Sequence, residues 1–88
     1  MMRERLVVEF IPGEGAIVRM LGLVERRGFE VKSVEVSEQA CGQRARLIVD
    51  LVARDPGRRI EVLGLQLQRL HGVGKVARVA IPARDKAA

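Results

Sequence analysis

The first third of the chain passes from a short, mostly apolar run to a hydrophobic pattern of helical period. Residues 5–11 are a short β-branched run, which predicts a strand. The turn-forming sequence Pro-Gly-Glu-Gly at positions 12–15 ends that strand. Apolar residues then recur at i, i+3, i+4 and i+7, the spacing of an amphipathic helix: Ile17, Met20, Leu21 and Val24. Arginines in the last turn and Gly28 after it are typical of a helix C-terminus.

Two further strands are predicted in the middle of the chain. Residues 29–37 are rich in valine, but their alternation changes phase. This indicates either a bulge near Lys32 and Ser33 or a strand whose two faces are both partly covered. Residues 38–43 form a loop, and residues 44–53 form the third strand. Every second residue of that strand is apolar, which predicts one buried face: Ala45, Leu47, Val49, Leu51 and Ala53.

The last third repeats the order of helix and strand. Asp55 is a suitable N-cap and Pro56 a suitable first residue for a second helix. Its apolar face is predicted to hold Ile60, Leu63, Leu67 and Leu70. Gly72 follows the helix, residues 73–81 form the fourth strand, and the polar tail 83–88 is expected to fray.

The predicted order β-α-β-β-α-β defines the fold class. Two right-handed strand–helix–strand units interleave into a four-stranded antiparallel sheet with both helices on one face, the ferredoxin-like arrangement of α+β proteins. The first and third strands are then central. With 88 residues, the chain is expected to hold a single domain over residues 1–82.

One face of this sheet carries no helix. The alternation points Val7, Ile11, Ile48 and Val52 toward that face, and an exposed apolar surface predicts a partner. We therefore expect a homodimer or higher oligomer, paired through the open face or through a sheet edge.

Composition excludes several kinds of chemistry. The chain has no Trp, Tyr, Asn or Thr, and its only Cys and His are Cys41 and His71. It therefore lacks the material for a four-ligand zinc site, an internal disulfide or a catalytic triad. We expect no enzyme activity, no metal and no cofactor.

The net charge of +5 raises the question of nucleic acid. The thirteen arginines are scattered, however, and form no basic run. The predicted third strand has no aromatic residue on which a base could stack, so RNA recognition is not expected. No apolar stretch is long enough for a membrane span or a signal peptide, and a cytoplasmic location is expected.

The loop before the first helix is the most informative local feature. A glycine-rich turn that opens a helix presents free backbone N–H groups to a carboxylate or phosphate, although glycines also serve ordinary tight turns. The candidate effector-binding residues are Gly13, Glu14, Gly15 and Ala16. A neighbouring edge strand that closes over the loop, such as Glu30 and Val31, would favour carboxylate binding.

The order of elements, the Pro-Gly-Glu-Gly loop and the run from Val18 to Ser33 resemble the ACT domain family. They are most similar to the short, single-domain small regulatory subunit of acetohydroxy acid synthase (acetolactate synthase), whose first helix ends in Gly-Leu-Phe-x-x-Arg-Gly-Tyr/Phe before an Ile/Val-x-Ser strand. Gly22-Leu23, Arg27-Gly28-Phe29 and Val31-Lys32-Ser33 match that pattern. The resemblance implies a dimer that binds and activates a thiamine-diphosphate-dependent catalytic subunit in branched-chain amino-acid biosynthesis, with the cofactors held by that partner.

The chain departs from the pattern of valine-sensitive relatives. In those subunits a loop glycine and two asparagines hold the effector between two ACT domains. The glycine corresponds to Gly15, but the asparagines correspond to positions near Pro12 and at Glu30. A carboxylate at Glu30 repels the carboxylate of a ligand, so we expect weak or absent valine binding in that mode.

Two other functions stay open at this point. One is a free-standing ACT-type sensor of a small ligand such as an amino acid, with no synthase partner. The other, less favoured, is a nucleic-acid-binding ferredoxin-like domain that relies on net positive charge.

Overall fold

The computed structural model describes residues 2–38 and 42–82. The elements are, in chain order, β1 (Arg3–Phe10), α1 (Ala16–Arg26), β2 (Phe29–Glu38), β3 (Ala45–Ala53), α2 (Ile60–Gln68) and β4 (Val73–Val79). They form one antiparallel sheet in the order β2-β3-β1-β4. The predicted ferredoxin-like βαββαβ fold is confirmed, with β1 and β3 at its centre. Cys41 and the predicted tail 83–88 lie outside the described residues.

The predicted bulge in β2 is also present. The register between β2 and β3 shifts between Val31 and Ser33, because one extra residue is inserted there into the edge strand. The bulge returns Val34 to the same side of the sheet as Val31, which explains the change of phase in the sequence.

The core lies between the helices and one face of the sheet. The central strands supply its sheet side with Leu6, Val8, Phe10, Ala45, Leu47, Val49 and Leu51. The helices supply Ala16, Met20, Leu23, Val24, Ile60, Leu63 and Leu67. The buried stripe of α1 is rotated from the predicted one, because Leu23 is buried whereas Ile17 and Leu21 are partly buried at the margin of the core.

The second helix begins later than predicted. Its N-cap is Arg59, in an extended conformation, and not Asp55. The Asp55 carboxylate instead accepts hydrogen bonds from the Gly57 backbone N–H at 3.0 Å and from Arg58 Nε at 3.3 Å. Aspartate forms such local turns as readily as helix caps, so the carboxylate is used before the helix starts.

The uncovered face is less apolar than predicted. Val7, Ile48 and Val52 are only half-buried there. Ile11 is not on this face, because β1 ends at Phe10. Ile11 is 59% exposed, and its backbone N–H donates to the carbonyl of Gly72 at 2.8 Å, so it joins the loop regions at the end of the sheet.

Candidate functional site

The loop between β1 and α1 presents the open N-terminus of a helix. Gly15 is the N-cap of α1 with φ of 77°, and no side chain caps the helix. The carbonyl of Gly13 accepts the Ala16 N–H at 3.2 Å, and that of Gly15 accepts the Arg19 N–H at 3.0 Å. The first backbone N–H groups of α1 have no partner within the helix and carry the positive end of its dipole, which suits an anion.

Arg19 adds a full positive charge to this loop. Its Nη1 donates to the carbonyl of Glu14 at 3.3 Å, and a β-carbon at Gly15 would lie 3.1 Å from the same nitrogen. Sequence reasoning missed Arg19. The signal was its position four residues after Gly15, one helical turn above the N-terminus.

Glu30 and Val31 do not lie near this loop in the same chain. The loop follows Phe10, which is level with Ala45 of β3, whereas Glu30 is level with Val52 of β3 and so with Arg3 of β1. Arg3 and Phe10 are seven residues apart along an extended strand, about 23 Å. The two parts of the predicted effector site therefore occupy opposite ends of the sheet.

The open sheet face has an apolar band between charged rows. Val7 is level with Ile48 on β3 and Ala77 on β4. The row on one side of this band pairs Glu9 with Arg46, and the row on the other side pairs Arg5 with Asp50.

Asp50 is the one buried charged residue among the described residues, at 3% exposure. Arg5 holds its carboxylate through Nε at 2.6 Å and Nη2 at 3.0 Å, and Arg3 Nε lies 3.4 Å away. The hydrogen bond from Arg5 is the main reason that the pKa of Asp50 is lowered, against the opposing effect of burial; the charge of Arg5, a hydrogen bond from Ser33 and the charge of Arg3 lower it further. Asp50 therefore links β1, β2 and β3 on the open face.

The edge formed by β2 exposes apolar side chains. Val34 and Val36 are 41% and 42% exposed, although they pair with the buried Val49 and Leu47 on the helix side of the sheet. We call the outer side of β2, with these two valines, the β2 edge. As an edge strand it has one row of backbone N–H and C=O groups without a strand partner in the chain.

Metal-ligating side chains are not clustered in the part of the chain that the structure describes. The described residues contain no group of three or more His, Cys, Asp or Glu side chains that could hold a metal ion. His71 is exposed at the end of the α2 region and lines a shallow depression with Ile11. Neither helix in residues 2–38 and 42–82 has the length and apolar character that a membrane crossing requires.

Comparison with solved structures finds the same fold in several proteins. The acetolactate synthase small subunit from Thermotoga maritima superposes with a TM-score of 0.78 at 21% identity, over 96% of this chain and 51% of that subunit. The chain thus spans about half the length of that relative. The ACT domain of a GTP pyrophosphokinase from Chlorobium tepidum superposes with a TM-score of 0.71 at 12% identity, over 89% and 97% of the two chains.

A third similar structure is the C-terminal domain of the MgtC protein from Mycobacterium tuberculosis, with a TM-score of 0.69 at 17% identity, over 92% and 88% of the two chains. At these identities the likeness shows the fold alone. No curated protein matches the sequence. The profile of the ACT domain family, however, matches residues 12–76, from the glycine-rich loop into β4. The chain therefore belongs to the ACT domain family, whose members are small-ligand regulatory domains.

Proposed function

We propose that this protein is a non-catalytic regulatory small subunit of acetohydroxy acid synthase, which binds and activates the catalytic subunit. Three observations support the proposal: the matching motif from Gly22 to Ser33, the superposition on an acetolactate synthase small subunit and membership of the ACT domain family. The observation that carries it is the motif from Gly22 to Ser33, which matches the pattern of these small subunits. In this role the thiamine diphosphate and the reacting groups belong to the partner, and this chain supplies surfaces and an effector site.

The β2 edge fits a second copy of the chain. Antiparallel pairing of two β2 strands about a two-fold axis at Val34 would satisfy backbone groups of both edges and join the exposed valines of both copies. In this register Glu35 faces Ser33 of the second copy, so that no two glutamates oppose each other at the centre of the pair. The helix side of the joined sheet then buries the apolar surface that each monomer exposes.

The same pairing would complete the effector site. In the register centred on Val34, Glu30 of the second copy lies beside Glu38, whose end of the sheet also holds the β1–α1 loop. The two separated parts of the predicted site would thus be joined from two chains. The uncapped amides of α1 and Arg19 would hold the carboxylate of an amino-acid effector, while Glu30 of the second copy would repel it. Weak valine binding follows from this arrangement.

The open face remains for the catalytic subunit. Its apolar band, with Val7 and Ile48, is only half-buried in the monomer, as is Val52 beyond the row of Arg5 and Asp50. Neither is used by pairing at the β2 edge. Burial of this band against a protein partner would remove apolar surface from water at about 25 cal/mol per Å².

The experiment mixes the purified chain with an acetohydroxy acid synthase catalytic subunit and measures acetolactate formation. We expect a saturable rise in activity and co-elution of the two chains. An Ile48→Glu variant should lose activation while it keeps the self-association of the native chain. Leu65→Glu, at an exposed leucine of α2 on the other side of the sheet, serves as the matched control. The absence of both activation and co-elution with the catalytic subunit would contradict the proposal.

A free-standing amino-acid sensor is the second candidate function. It is favoured by the loop site, which needs only a second copy of this chain. Binding of an amino-acid effector without any effect on synthase activity would favour this second function over the role of a synthase subunit.

A further inference from the structure

An arginine-lined cavity lies at the end of the sheet opposite the β1–α1 loop. Its volume is about 160 Å³, and its rim holds the three arginines Arg27, Arg58 and Arg59. Phe29 and Leu63, both buried, form its floor. No carboxylate is among the residues that line it. We call this feature the arginine cavity.

Two of the three guanidinium groups are weakly engaged. Arg27 Nη2 donates to the neutral amide oxygen of Gln66 at 3.1 Å. Arg59 Nε lies 3.8 Å from a Glu61 oxygen, and the Arg59 side chain is 74% exposed. An exposed pair at that distance contributes little stability, so both groups can turn toward a ligand at small cost.

The third guanidinium is fixed in place. Arg58 lies across Gly28 so closely that a β-carbon there would be 2.9 Å from Arg58 Cζ. Gly28 has φ of 90°, a conformation that glycine adopts without strain. Arg58 Nε also donates a hydrogen bond to the Asp55 carboxylate at 3.3 Å, which holds the guanidinium group in place over Gly28. The cavity therefore has one ordered arginine and two adjustable ones.

The start of α2 reinforces the positive charge. Its N-cap residue is Arg59, and no side chain caps the helix. The first N–H groups of α2 have no acceptor within the helix and carry the positive end of the dipole. The guanidinium groups and the helix N-terminus thus converge on one concave surface.

We propose that the arginine cavity binds a small phosphate-bearing anion, with Arg27 and Arg59 as the ligands that close on it. Arginine donates paired hydrogen bonds that match phosphate oxygens. A convergent cavity favours a small ligand over a nucleic acid, which requires a track of phosphate contacts along a surface. Arg26 and Arg54 adjoin this end of the sheet, whereas Arg19 and Arg46 lie toward the opposite end. This site is separate from the effector loop and does not depend on the proposed synthase partner.

The test titrates the 88-residue chain with inorganic pyrophosphate at constant ionic strength and monitors the shifts of its amide resonances. Saturable shifts are expected for residues 57–63 at the start of α2. An Arg27→Gln/Arg59→Gln variant should weaken binding by about tenfold or more, because two charged donors are removed. The matched control is Arg69→Gln, since Arg69 is an exposed arginine just after the other end of α2, and its affinity should stay within about twofold of the native chain.

One further variant and two further probes make the result decisive. Arg27→Lys/Arg59→Lys keeps the charge but loses the paired donors, and it should bind pyrophosphate more weakly than the native chain. Circular dichroism checks that every variant is folded. Inorganic phosphate and a nucleoside diphosphate, titrated separately, distinguish a free anion from a phosphate carried on a larger small molecule, and binding of either one supports the proposal.

Three outcomes would overturn the proposal. One is the absence of saturable shifts with pyrophosphate, phosphate and the nucleoside diphosphate. Another is an equal loss of binding in Arg69→Gln, which would show a general effect of net charge. The third is tighter binding of a glutamate-rich peptide or of single-stranded DNA than of any small phosphate at the same residues, which would assign the cavity to a macromolecular partner.

Discussion

The two edges of the sheet differ in what they offer to another chain. The β2 edge is ten residues long and exposes Val34 and Val36. The β4 edge is seven residues long and carries Lys75 and Arg78. Short edge strands with lysines are a common protection against strand pairing. The same sheet therefore has one edge suited to pairing and one that is guarded.

Arg78 shows how the guarded edge is closed. Its guanidinium lies on the helix side, where it donates to Glu4 of β1 at 3.0 Å and 3.1 Å and to Glu61 of α2 at 3.2 Å. This bridge ties β4, β1 and the start of α2 together over the edge. No such bridge among the described residues covers Val34 and Val36 of β2. The comparison shows that side chains which link a helix to an edge strand, as Arg78 does at β4, also cover that edge. In the part of the chain that the structure describes, the β2 edge has no such link and stays accessible to strand pairing.

The largest expected effect is on self-association. Val34→Lys places a charge in the proposed β2–β2 contact and should weaken the dimer by about a hundredfold or more, or about 3 kcal/mol. Sedimentation velocity over a dilution series measures this change. Val79→Lys on the β4 edge is the matched control, since Val79 has a similar exposure of 37%, and it should leave the dimer unchanged. A reversed result would assign pairing to β4.

The next effect is on the stability of the chain and on the pairing of β2 with β3. Asp50→Asn should lower the free energy of unfolding by about 2 kcal/mol, because a buried charge pair with Arg5 is lost. Chemical denaturation measures the change, and hydrogen exchange should show more opening at the β2–β3 pair than at β1–β4. Asp55→Asn, at an exposed aspartate, is the control and should cost less. Uniform loss of protection across the sheet would contradict a special role of Asp50 in holding β2.

Acid should act on the same link. The folded pKa of Asp50 lies below its ordinary value, so its contribution to stability is complete above the unfolded pKa of about 3.9 and is lost as pH falls through the folded value. The native chain should therefore lose stability from about pH 5 downward. The pH dependence should be smaller in Asp50→Asn, and an unchanged profile would remove Asp50 as its cause.

A smaller effect tests whether the β2 edge carries the second half of the effector site. Glu30→Asn removes a negative charge from the proposed contact with the ligand carboxylate and should tighten valine binding by about tenfold, or about 1.4 kcal/mol. Isothermal titration calorimetry measures this affinity. Glu61→Asn, at an exposed glutamate of α2 that accepts a hydrogen bond from Arg78 near the β4 edge, should leave it unchanged. Tight valine binding by the native chain would contradict the repulsive role assigned to Glu30.

The smallest effect separates two glycines of the β1–α1 loop, Gly13 and Gly15. Gly15→Ala should destabilise the chain by about 1 kcal/mol or somewhat more, because Gly15 has a positive φ and Arg19 lies 3.1 Å from the added carbon. Gly13→Ala meets open space and should be nearly neutral. Thermal unfolding of both variants measures the difference. Equal melting temperatures would show that the conformation of Gly15 carries no cost.

The sequence allowed the order of elements to be predicted because that order rests on local patterns. The valine phase change indicated the bulge at Lys32 and Ser33, and the alternation of β3 identified its buried face. The start of α2 was predicted wrongly, because Asp55 satisfies a local turn and the chain then extends to Arg59. The position of Ile11 also escaped the pattern, since alternation cannot say where a strand stops.

The candidate site was harder to predict than the fold. Gly15 and its loop were identified from turn chemistry, but Arg19 was not. The burial of Asp50 depends on Arg5, 45 residues earlier in the chain, a partner that the local pattern of β3 does not indicate. The separation of Glu30 from the loop follows from strand register, which the sequence pattern leaves open.

The loop and Glu30 are separated by the length of β1, about 23 Å along the sheet. This separation has a consequence for how the protein would respond to an effector in solution. A site assembled from two chains obeys mass action in the protein itself. On dilution the proposed effector response should fade together with the dimer, whereas the arginine cavity, complete within one chain, should keep its affinity. One small domain would then hold two binding sites, of which only one depends on how much of the protein is present.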